Sequence, residues 1–188
     1  MKTILKFLGV VILVVLAYVL VGGIFMEKKY ELEKSIVIKA SKDVIWQNIS
    51  TFSNFKKWSP WNELDPNMTT TITGNDGSVG GTYSWKGNDD VGTGSMTYTK
   101  LTPQDEVAMD LKFMEPMESN AKVIIKIEES ADGSSTVTWA FDTEFPYPLN
   151  SLTPLMGMDK SLGADFERGL KYLKQLSESG TPAAPAVM

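Results

Sequence analysis

Residues 7–26 contain no charged side chain, in an apolar run preceded by Lys2 and Lys6 and followed by Glu27, Lys28 and Lys29. About 20 residues at about 1.5 Å rise each make a helix roughly 30 Å long, the thickness of the hydrocarbon layer of a bilayer. The run therefore predicts a membrane anchor over residues 1–26. A secretory signal is the competing reading, because the two lysines form a basic lead and Gly22-Gly23 offers a cleavage point. Signal cores hold about 7 to 15 apolar residues, so length favours the uncleaved anchor. Basic residues flank both ends, and their cytoplasmic bias places the amino terminus inside. The expectation is a single-pass membrane protein with an extracytoplasmic domain.

All 23 acidic residues lie beyond that run, against 18 basic residues in the whole chain, which makes the remainder acidic. An acidic surface repels phosphate, so no nucleic-acid partner is expected and membrane contact rests on the helix, not on anionic head groups. The chain has no histidine and no cysteine. That removes imidazole bases, Ser-His-Asp triads, thiolate nucleophiles, disulfides and the usual zinc sites. No cofactor or metal is expected. Residues 177–188 (SESGTPAAPAVM) are small, polar and proline-bearing, and read as a disordered tail. Residues 27–176 remain as one domain.

Within it, apolar and polar residues alternate with period two over 106–113, 119–129 and 135–145, the signature of strands buried on one face. Ala131-Asp132-Gly133 supplies hairpin chemistry between the last two, so these three strands form a meander. Residues 30–39, 68–73, 82–86 and 92–101 add four more strands. Between the first two, Ser41 is a plausible N-cap for a helix carrying Val44, Ile45 and Ile49, with a second short helix over 52–57 that Pro60 ends. The long helix, residues 155–176, repeats Met158, Leu162, Phe166, Leu170 and Leu173 at three- and four-residue steps. Gly157, Gly163 and Gly169 each cost about 0.8 to 1 kcal/mol there relative to Ala, so the backbone approaches the sheet closely at some of them, or one lies at the helix start.

One strand, two small helices, six strands and a final helix is the order of an α+β helix-grip fold. The segments FKKWSPW (55–61), LDPNM (64–68), VGGTYSW (79–85), VGTGSMT (91–97) and DFERGL (165–170) resemble the SRPBCC (START-like) superfamily, in its polyketide cyclase/dehydrase and lipid-transport branch. The apolar front end is similar to the membrane-anchored bacterial subgroup. The resemblance implies a seven-stranded curved antiparallel sheet around the C-terminal helix, with an apolar cavity between them.

Alternation points Tyr83, Trp85, Met96, Tyr98, Met109, Phe113, Trp139 and Phe141 inward, and Phe166 faces them from the helix. Aromatic and methionine side chains give an apolar guest contact area and adaptable shape. Trp58 and Trp61, around Pro60, either gate the mouth of such a cavity or plug it. For any single member of the inward set ordinary core packing is the default, and the case for a cavity rests on the residues as a group. No catalytic residue is assigned: no carboxylate pair can be matched as acid and base by spacing, and the glycine-rich segments 76–80 and 92–94 read as turns. Three readings follow. The leading one is a tethered binding domain for a small hydrophobic or amphipathic ligand, lipid or isoprenoid-like. A cyclase/dehydrase-like enzyme acting in the same cavity is the second, and an envelope interaction module with a filled core the third. The volume between sheet and helix separates the first two from the last.

Overall fold

The computed structural model describes residues 2–179. The apolar run forms α1 (Lys2–Phe25), and Thr3–Phe25 is long and apolar enough to cross a membrane. Each period-two run then forms a strand: β1 (Lys29–Ile38), β2 (Thr69–Thr73), β3 (Thr82–Lys86), β4 (Thr93–Thr102), β5 (Glu106–Glu115), β6 (Ser119–Glu129) and β7 (Ser135–Glu144). They hydrogen-bond in the order β1-β7-β6-β5-β4-β3-β2, antiparallel throughout. The meander runs without interruption from β2 to β7, and β1 closes on the free edge of β7, with Lys29 opposite Glu144 and Ile38 opposite Ser135. The chain is thus the α+β helix-grip architecture: a seven-stranded sheet gripping the final helix, preceded by an apolar helix.

Between β1 and β2 lie α2 (Lys42–Ile49) and α3 (Phe52–Phe55). Ser41 has the extended backbone of an N-cap, but its hydroxyl makes no capping bond. Capping by a side chain occurs at α3 instead, where Thr51 Oγ1 accepts from the Asn54 amide at 3.2 Å and the Asp76 carboxylate accepts from the amides of Phe52 and Ser53. α3 stops at Phe55 and not at residue 57, and Pro60 opens a separate 3-10 turn, Pro60–Asn62.

The final helix, α4, spans Met158–Ser179, not 155–176. Its start is set by backbone chemistry. Leu149–Leu155 winds as 3-10 turns containing Pro154, and Gly157 then takes φ +61°, the left-handed region open to glycine. The helix also outlasts residue 176: Ser177 is buried, and its Oγ accepts from Asn48 Nδ2 at 3.0 Å. Residues 177–179, expected in the tail, are therefore helical, and the rest of that tail, 180–188, lies outside the described residues.

α4 runs parallel to β1 and is tied to it at intervals. Tyr30 Oη donates to Asp159 (2.9 Å), Lys34 Nζ to Glu167 (2.6 Å), Lys174 Nζ to the Val37 carbonyl (2.7 Å), and the Lys39 amide to Glu178 (2.7 Å). Its inner stripe of Phe166, Leu170 and Leu173 packs into a core with Val107, Ile125, Ile127 and Val137. Burying each such aliphatic or aromatic side chain contributes about 1.5 to 3 kcal/mol. Helix and sheet approach closely at Gly169, where a Cβ would sit 2.8 Å from Trp139 Cζ3 and 3.1 Å from Pro60 Cδ.

Candidate functional site

Because successive strand side chains point to opposite faces, β3 to β7 send one set toward α4. Near the carboxyl-terminal half of α4 that set joins buried Leu170, Leu173 and Leu176 in the core. Toward its amino-terminal half a cavity of about 240 Å³ lies between the sheet and the helix. Tyr83 and Trp85 (β3), Met96 (β4), Met109, Leu111 and Phe113 (β5), Val123 (β6), and Trp139 and Phe141 (β7) wall it on the sheet side. Met158, Ser161, Leu162 and Phe166 of α4 face them, Phe55, Ser59 and Trp61 close one flank, and Met68, Asp90 and Val91 form part of the rim.

Trp139 is the centre of this wall. It stacks on Phe166 with ring centroids 4.1 Å apart and planes 14° from parallel, and it meets Trp58 (5.2 Å) and Trp61 (5.7 Å) at steep angles. Its indole Nε1 is buried without a hydrogen-bond partner, as is the hydroxyl of Tyr83. An unpaired buried donor costs about 1 to 3 kcal/mol, and both belong to residues of the cavity wall, although neither atom is itself exposed to the cavity space. Burial pushes the Tyr83 hydroxyl up to about 12; the Thr70 hydroxyl pulls the other way, although no hydrogen bond of standard geometry joins the two. At neutral pH Tyr83 is therefore an O–H donor, not an anion. The other ionisable side chain on the lining, Asp90, is exposed at the rim.

The segment carrying Trp58 and Trp61 is pinned from several sides. Trp58 Nε1 donates to the Asn48 carbonyl (2.9 Å), Asn62 Nδ2 to the Lys56 carbonyl (2.6 Å), and Tyr172 Oη to Glu63 (2.5 Å). Arg168 donates to Asp165 at 2.5 Å. Burial raises the Asp165 carboxyl, and the Arg168 charge and the Trp61 indole offset part of that rise.

Of the residues singled out in the sequence, the structure brings Trp61, Tyr83, Trp85, Met96, Met109, Phe113, Trp139, Phe141 and Phe166 together around one cavity. Trp58 and Tyr98 lie outside its wall. Trp58 is buried behind Trp139 against Phe55, and Tyr98 stacks on Phe52 at 4.0 Å beneath α3. Both face inward; α2 and α3 cover that end of the sheet and fill the space. Leu111, Val123, Met158 and Leu162 also line the cavity, and their strand alternation or helix periodicity could have found them. Met68, Asp90 and Val91 reach it from turns, where no periodicity exists.

The family described as polyketide cyclase / dehydrase and lipid transport matches residues 29–178. No curated protein matches the sequence closely. Among solved structures, the di-domain ARO/CYC StfQ of the steffimycin biosynthetic pathway is similar at TM-score 0.60 and 13% identity, over 81% of this chain and 52% of that one. The Aha1 dimer of Colwellia psychrerythraea is similar at TM-score 0.55 and 22% identity, covering 80% of this chain and 98% of its own. A conserved protein of unknown function from Enterococcus faecalis reaches TM-score 0.53 at 17% identity, over 91% of this chain and 86% of its own. At these identities the likeness is one of fold. The sheet order, the gripped helix and a family match over nearly all of the chain beyond α1 agree: the protein belongs to the polyketide cyclase / dehydrase and lipid transport family of the SRPBCC superfamily.

Proposed function

We propose that the protein is a membrane-tethered carrier that holds a small hydrophobic or amphipathic molecule, lipid or isoprenoid-like, in the cavity between the sheet and α4. The observation that carries this reading is the lining: aromatic, methionine and aliphatic side chains surround two buried unpaired groups, Trp139 Nε1 and the Tyr83 hydroxyl. Such a wall suits a guest that is mostly apolar, and a small shift of the Trp139 or Tyr83 side chain on binding would bring one of these donors to its carbonyl, ester or alcohol oxygen. Size narrows the class further. A cavity of about 150 Å³ holds one benzene ring, so about 240 Å³ takes a short chain or a small ring system and not a whole diacyl lipid. α1 supports the tether. Only residues 26–28 separate it from β1, about 10 Å of extended chain, so an anchored helix keeps the cavity near the bilayer where such molecules partition.

Burial keeps the Tyr83 hydroxyl protonated at neutral pH, so it offers an O–H and no general base to a guest. The test is extraction of the detergent-purified full-length chain followed by mass spectrometry, with thermal melts against a panel of single-chain lipids and isoprenoids. A reproducible apolar companion, or a melting temperature raised by one ligand class, is expected. A chain that purifies empty and gains no thermal stability from any member overturns the proposal.

A further inference from the structure

Residues 145–158, between β7 and α4, carry no charge, and Glu144 and Asp159 bracket them. The segment is built onto the end of α1. Buried Asn150 donates through Nδ2 to the carbonyls of Gly23 and Met26, both at 2.8 Å, so it satisfies a carbonyl that the last helical turn leaves open. Tyr147 Oη donates to the Leu20 carbonyl and Tyr18 Oη to the Ser151 carbonyl, each at 3.2 Å. Gly23 makes the approach possible, because a Cβ there would lie 3.0 Å from both Asn150 Oδ1 and the Tyr147 ring.

We propose that this segment is an interfacial membrane-inserting element that seats the mouth of the cavity in the head-group layer. The inference rests on the reading of α1 as a membrane anchor, and its depth follows from the Tyr18 contact. Tyr18 lies seven residues before Phe25, about 10 Å along the helix axis. A span ending at Tyr18 would leave residues 3–18, about 24 Å, short of the roughly 30 Å of a hydrocarbon core. The last two turns of α1 therefore lie in the membrane, and the segment beside them reaches about the 5 to 10 Å depth of interfacial helices.

Its surface has the composition that depth requires. Leu155 (71% exposed), Met156 (47%), Tyr147 (45%) and Leu149 (43%) present apolar or amphipathic side chains outward. Its backbone sheds donors: Pro146, Pro148 and Pro154 have no N–H. The amides of Leu149 and Asn150 bond to the Pro146 carbonyl, that of Ser151 to Pro148 and that of Met156 to Thr153.

The exposed edge of the cavity lining, at Asp90, lies at this end of the sheet. Following the strand pairs from Lys29 and Glu144 leads through Ser119, Glu115, Thr93 and Lys86 to Thr69, which places the β3–β4 turn with Asp90 and Val91 at the anchor end. Met158, Ser161 and Leu162 continue directly from the segment into the cavity lining. A guest thus passes between bilayer and cavity without crossing bulk water.

The absence of cysteine makes single labels unique. The full-length chain, carrying Leu155→Cys, Val79→Cys at the opposite end of the sheet, or Val14→Cys in mid-anchor, is nitroxide-labelled and reconstituted in phosphatidylcholine vesicles. Collision rates with oxygen and with a water-soluble nickel chelate are then compared. The Leu155 label is expected to favour oxygen over nickel, intermediate between Val14 and the nickel-accessible Val79. A Leu155 label as nickel-accessible as Val79, beside a shielded Val14, overturns the inference and leaves the anchor standing. A nickel-accessible Val14 overturns both.

Discussion

Gly163 and Gly169 lie six residues apart on α4, and the same substitution at each is expected to move stability in opposite directions. Replacing a helix-interior glycine with alanine contributes about 0.8 to 1 kcal/mol through the backbone alone. At Gly163 the new Cβ would meet Lys34 Cε at 3.2 Å, the far end of a flexible side chain that can give by a few tenths of an ångström. The neighbouring Lys34–Glu167 pair (2.6 Å) is solvent-accessible, so disturbing it costs little. Gly163→Ala is then neutral to stabilising by about 1 kcal/mol. At Gly169 the Cβ would lie 2.8 Å from Trp139 Cζ3 and 3.1 Å from Pro60 Cδ. Trp139 is held by its stack on Phe166 and by Trp58, and Pro60 is fixed within its 3-10 turn, so neither retreats freely. Overpacking of this kind costs about 1 to 3 kcal/mol, which exceeds the helix gain and leaves Gly169→Ala destabilised by about 1 kcal/mol. The two variants should differ by roughly 2 kcal/mol, or about 4 to 8 °C in melting temperature for a domain of this size. Thermal denaturation of the detergent-solubilised full chain, followed by circular dichroism, reads the difference. If both variants are stabilised equally, helix propensity alone governs these positions and the close packing of α4 on Trp139 is refuted.

Trp139→Phe removes the unpaired indole N–H, a gain of about 1 to 3 kcal/mol, and leaves extra space that costs a similar amount, so the melting temperature should change little. Titration calorimetry should show a carbonyl-bearing ligand weakened about two- to tenfold and a matching hydrocarbon unaffected; equal loss for both would deny the indole a polar role. Burial raises the Tyr83 and Tyr98 hydroxyls, Tyr98 with help from the Asp76 charge. Their stabilisation is complete below about pH 10, the unfolded value, and is lost as pH rises from there through the folded values, about 12 for Tyr83. Urea midpoints measured from pH 8 to 11.5 should fall above pH 10, less steeply in Tyr83→Phe and Tyr98→Phe; an unchanged slope in both would place the loss elsewhere.

The strands were legible because a half-buried strand must alternate, and residues 106–113 and 119–129 can hide one face in no other local geometry. The inward set followed from the same alternation, which is why Met96, Met109, Phe113, Trp139 and Phe141 could be named without coordinates. Element ends were less legible. Apolar periodicity continues through Leu155, and the left-handed turn at Gly157 that separates it from α4 leaves no period to read.

The sequence by itself determined the apolar leading helix, the seven strands, the gripped helix and which face of each is apolar, because those are properties of spacing along one chain. Tertiary structure alone decided which inward residues enclose space and which fill it. Tyr98 and Met96 share one face of β4, yet Phe52 of α3 stacks on the first and the cavity lies over the second. It also decided that the charge-free segment 145–158 packs on the end of α1. Asn150 and Gly23 meet only because β7 returns the chain to where β1 began, a pairing between residues more than a hundred positions apart that no local pattern encodes.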